Sequence, residues 1–127
     1  MLRLAGFVLV GCVALMAQDA WATNFWTSLK NFYAEYEVVK ACAEESQLSD
    51  ADAELAKTAI EKIEAHYLKR DASLNKERAL QAAIADKDEG IRIATRGGNK
   101  SDFGSYCRVS LKELLAKAEE IDETAKN

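Results

Sequence analysis

From Phe25 onward the chain falls into four stretches in which apolar residues return every three or four positions, each closed by a polar or glycine-bearing break. In the first, Phe25, Leu29, Phe32, Tyr33, Tyr36, Val39 and Ala43 share one arc of a helix, and Val38 and Cys42 widen that arc on one side. A helix apolar over that much of its circumference is packed by two neighbours rather than one. The helix should end between Glu45 and Gln47, because Ser49 followed three residues later by Asp52 reads as a capping box for the next one.

The second stretch predicts a helix over 50–68 with Leu48, Leu55, Ala59, Ile63 and His66 on its inner face. Ala56, Ile60 and Tyr67 flank that face, and Glu54, Lys57, Glu61 and Glu64 point away from it. Lys69 and Arg70 close it favourably against the helix dipole. A turn over 71–75 offers Ser73 or Asn75 as the cap of a third helix, whose stripe is Leu80, Ile84 and Ile91. Lys87 and Asp88 fall near that stripe and Ile93 off it, while Gly90 interrupts it at a cost of about 1 kcal/mol relative to alanine. A kink or early end near Gly90 is therefore expected. Gly97-Gly98-Asn99 is a stop, and Ser101-Asp102 opens a fourth helix with Phe103, Cys107, Leu111, Leu114, Ala118 and Ile121 at core spacing.

Composition supports this pattern: 127 residues with no proline and six glycines leave little room for a turn-rich β architecture. The expected fold is all-α, a single small four-helix bundle-like domain over 23–127. A formal net charge of −4 argues against non-specific nucleic-acid binding, which needs a basic surface. No cofactor motif is present.

Residues 1–22 read as a cleaved signal peptide: Arg3 supplies the positive charge, Leu4 to Met16 is a 13-residue apolar run, and Ala20-Trp21-Ala22 fits the cleavage pattern. The run is too short to span a bilayer, so no transmembrane segment is expected in the mature chain. The expected location is the periplasm or outside the cell. Leu9-Val10-Gly11-Cys12 offers an alternative, a lipobox that would anchor the chain through Cys12, although only 11 residues precede that cysteine. Removing Cys12 with the leader leaves Cys42 and Cys107, an even pair in an oxidising compartment, and so one disulfide between helices one and four.

Candidate chemistry is sparse. His66, the single histidine, is a candidate pH-responsive residue, with no nucleophile motif attached to it. Asp86 to Gly90 resembles the opening of a calcium loop but has its glycine one position early and lacks the downstream acid, so no metal site is assigned. Two surfaces remain for a partner. One is the helix-one start, Phe25, Trp26 and Leu29, which either packs into the core or overhangs it as an apolar patch. The other is a basic patch expected to gather Arg70 with Arg96 and Lys100, between the second turn and the Gly97-Gly98 loop.

In overall plan the chain is similar to small exported bacterial helical proteins with one disulfide, among them acid-stress chaperones and toxin-neutralising immunity proteins. The similarity is one of architecture and carries over no functional residue. The expected function is non-enzymatic binding or inhibition of a protein partner. The alternatives are a chaperone-like stress protein that opens in acid, then a small enzyme.

Overall fold

The computed structural model describes residues 25–98 and 100–126. They form four helices and no strand: α1 over 25–44, α2 over Asp50–Arg70, α3 over Lys76–Thr95 and α4 over Lys100–Lys126. The predicted signal peptide over 1–22, its cleavage after Ala22 and the lipobox cysteine Cys12 lie outside the described residues.

Local chemistry sets each boundary. At the end of α1 the chain turns through Ser46, held in the left-handed region at φ 61°. The Ser46 N–H reaches the Ala43 carbonyl at 3.1 Å and the Gln47 N–H reaches that of Cys42 at 2.8 Å, the Schellman pattern that satisfies carbonyls the helix leaves over. Three residues on, the predicted capping box is present: Ser49 Oγ accepts from the Asp52 N–H at 3.0 Å, and Asp52 Oδ2 accepts from the Ser49 N–H at 3.2 Å. Of the two caps open for α3, Asn75 serves, its Oδ1 accepting from the Arg78 N–H at 3.0 Å. Ser73 instead folds back onto Asp71 within the turn.

Short connections make successive helices run in opposite directions. The start of α1, the end of α2, the start of α3 and the end of α4 therefore share one end of the bundle, where Phe25 meets Tyr67 at 6.0 Å and Lys62 meets Asp122 at 2.7 Å. At the other end Cys42 and Cys107 are joined in a disulfide linking α1 to α4, with Cα atoms 6.0 Å apart. Packing follows the same division. The larger core gathers Leu29, Tyr33, Val39, Ile60, Ile63, Tyr67 and Leu114, while a smaller one surrounds the disulfide with Val38 and Phe103. α4 lies along both α2 and α3. α2 and α3 are joined by their turn and by the Lys76–Glu64 ion pair at 3.6 Å.

Three expectations need correction. The inner face of α2 is the predicted flank: Ala56, Ile60 and Tyr67 are buried along with Ala59 and Ile63, whereas Leu55 is 53% exposed. Glu64 consequently does not point away, and accepts from the Tyr33 hydroxyl at 2.6 Å. On α3 the buried residues are Ala79 and Ala83, and Leu80 and Ile84 lie at the exposed edge. The large side chains of α1, α2 and α4 fill the interior, so α3 meets it with methyl groups. Finally, α3 does not stop at Gly90 but continues to Thr95, and Gly98 at φ +68° provides the turn beyond it.

Candidate functional site

The aromatic end of the bundle is built around Tyr67, buried on the last turns of α2. Phe25 and Phe32 of α1 lie 6.0 Å and 6.5 Å from its ring, His66 meets it edge-on at 5.2 Å, and Lys117 of α4 holds its ammonium 5.9 Å above it. The Lys30 ammonium lies 6.0 Å from the Trp26 ring. Lys30 is in turn held by Asp86 of α3 at 3.0 Å. Asp86 thus sits in a helix, paired with a lysine, and does not open a calcium loop.

Phe25 and Trp26 are half-buried against the core and Leu29 is fully buried. The first turn of α1 therefore does not overhang the bundle. Leu29 is core, and the two aromatics are partly exposed beside it. The reason is Tyr67: a large ring at the end of α2 gives the start of α1 something to pack on.

Beside these rings, the last turns of α2 and α4 enclose a groove of about 600 Å³ lined by Lys62, His66, Lys69, Arg70, Ile121 and Thr124. Lys62 is paired with Asp122 of α4; Lys69 and Arg70 are exposed. The Arg70 Nε–H donates to His66 Nε2 at 3.0 Å. That bond needs the lone pair on Nε2, which fixes His66 as the neutral tautomer with its proton on Nδ1. Burial lowers the His66 pKa below its ordinary value, the cations of Arg70 and Lys117 lower it further, and Glu120 opposes them in part.

The single basic patch expected from the sequence does not form. Arg70 ends α2 and Arg96 follows α3, and these are opposite ends of the bundle, separated by the length of a 20-residue helix, about 30 Å at 1.5 Å per residue. Lys100, the first residue of α4, lies at the Arg96 end. The topology thus unites Phe25, Trp26, His66 and Arg70 and leaves Arg96 and Lys100 at the far end.

Two features escaped the sequence reading. A second open groove of about 630 Å³ has an apolar floor of Leu48, Leu111 and Leu115 between Arg108 and Lys112. The other is Glu35, whose Oε2 is buried without an ordinary partner. Glu35 lies on the stripe with Val38 and Cys42, the very positions that widen the α1 arc, so an acid facing the second neighbour was visible in the periodicity. Among the described residues no three of His, Cys, Asp and Glu come together as a metal-binding set, and no helix is long and apolar enough to cross a membrane.

No family model, curated protein or solved structure matches the chain.

Proposed function

We propose that the protein is a secreted or periplasmic, non-enzymatic binding module that engages a protein partner through its aromatic and basic end. What supports the reading is the convergence of Phe25, Trp26 and Arg70 there. Half-buried rings beside two exposed cations offer the mixture of apolar and Arg contacts that anchors protein interfaces. The buried Cys42–Cys107 disulfide is compatible with life outside the reducing cytosol, and cleavage after Ala22 would leave the aromatic end close to the new N-terminus.

The test is crosslinking in an extract from the producing cells, with a photoreactive group carried near Trp26. The reading expects one partner, captured by the wild type, weakened by Trp26→Ala and by Arg70→Ala, and unaffected by Arg96→Ala at the opposite end. Equal capture by all four proteins would remove the proposal.

A further inference from the structure

We infer that Glu35 of α1 and Glu113 of α4 share a single proton across the interface between those helices, forming a proton-binding clasp that holds the disulfide-linked pair most firmly in acid. The inference is independent of the proposed partner site.

Glu35 stands two helical turns before Cys42 on the stripe that faces α4, and Glu113 follows Cys107 by a similar distance on the antiparallel helix. Glu113 is the acid whose carboxyl acts most directly on that of Glu35. Two carboxylates have acceptors only, so a hydrogen bond between them requires a proton on one of them. Glu35 is the more enclosed: its Oε2 is buried and lacks a partner if both acids are ionised, whereas Glu113 is exposed. With one proton the arrangement is satisfied, the Glu35 O–H donating to the Glu113 carboxylate in a charge-assisted bond.

The surroundings favour that state. Burial is the largest influence on Glu35, followed by the hydrogen bond and the charge of Glu113, and together they push its pKa up to about 9. Tyr106, two turns before Glu113 on α4, also faces Glu35. Burial raises its phenol and the Glu35 charge raises it further, so it stays protonated. On α3, which closes against Tyr106 at Gly90, Asp86 is paired with Lys30 of α1 and Lys87 with Asp88. On α2, Glu64 is occupied by Tyr33 and Lys76.

The proton balance fixes the sign. In the unfolded chain Glu35 ionises near its ordinary value of 4.5, whereas the folded protein holds the proton to about 9. Folding between those limits takes one proton from solvent and leaves the pair with one negative charge. The contribution is complete below the unfolded value and is lost as pH rises toward the folded one, at most about tenfold in the folding constant per pH unit.

The experiment is denaturant unfolding of the oxidised protein from about pH 5 to about pH 8, a range above the ordinary carboxylate values, for the wild type and Glu35→Gln. The amide of glutamine donates to Glu113 without titrating. The clasp predicts that the wild-type folding constant falls with pH by up to about tenfold per unit more steeply than that of the variant. Identical slopes would overturn it. Should the variant fail to fold, carboxyl ¹³C titration of the wild type decides. One glutamate still protonated at about pH 7 is expected, and a set of glutamates all ionised by about pH 6 overturns the inference.

Discussion

Gly90 of α3 lies directly beneath the hydroxyl of Tyr106 on α4, so close that a Cβ at position 90 would overlap that oxygen. This explains a glycine in the interior of a 20-residue helix, where it is otherwise costly. Alanine in an open helix would gain about 1 kcal/mol, but here overlap with a half-buried tyrosine should cost about 1–3 kcal/mol. Gly90→Ala is therefore expected to lower stability by about 1 kcal/mol in denaturant unfolding. In a Tyr106→Phe background the same change should cost less or turn stabilising. An equal loss in both backgrounds would show that the hydroxyl is not the obstacle.

Ser46 occupies the left-handed position that ends α1. A side chain there is strained and glycine is not. Ser46→Gly should raise stability by about 0.5–1 kcal/mol, read as a higher denaturant midpoint with an unchanged slope. A lowered midpoint would mean that the serine contributes something other than strain.

The disulfide closes 65 residues, and its two cysteines are fully buried. In the chain-entropy account, opening a loop of that length costs roughly 4 kcal/mol, a large share of the stability of a small domain. Cys42→Ser with Cys107→Ser should lose most of that amount in urea. The native protein should resist alkylation after mild reductant until denaturant is added. Prompt labelling of both sulfurs in folded protein would contradict the burial.

His66 and Glu35 set opposite pH dependences. The folded pKa of His66 lies below 6.5, so its contribution is present above the unfolded value and is lost as pH falls through the folded one. Glu35 contributes in the other direction, gaining as pH falls from about 9 toward 4.5. A His66 ring titration followed by proton NMR should have its midpoint below 6.5, and Arg70→Ala should move it upward, since Arg70 is among the causes of the shift. Near-UV CD should be retained at about pH 3, where ordinary carboxylates are mostly protonated. Its loss there would favour the acid-opened chaperone instead.

Periodicity and capping chemistry, both readable within about a dozen residues, decided the four helices, the Ser49–Asp52 box and the core face of α4, and narrowed the α3 cap to Ser73 or Asn75, because each depends on neighbours a few positions away. The pairing of Cys42 with Cys107 was expected because they are the two cysteines beyond the predicted leader, and the fold joins them. What one chain segment meets across space was settled by the fold. Which of two adjacent faces of α2 turned inward depended on the aromatics of α1, and the alanine face of α3 depended on how little room they left. Arg70 and Arg96 look alike along the chain, yet α3 carries them to opposite ends, while Glu35 and Glu113, 78 positions apart, come within hydrogen-bonding reach. Helix propensity acts locally, whereas burial, charge and proton sharing depend on distances that exist only once the helices have packed.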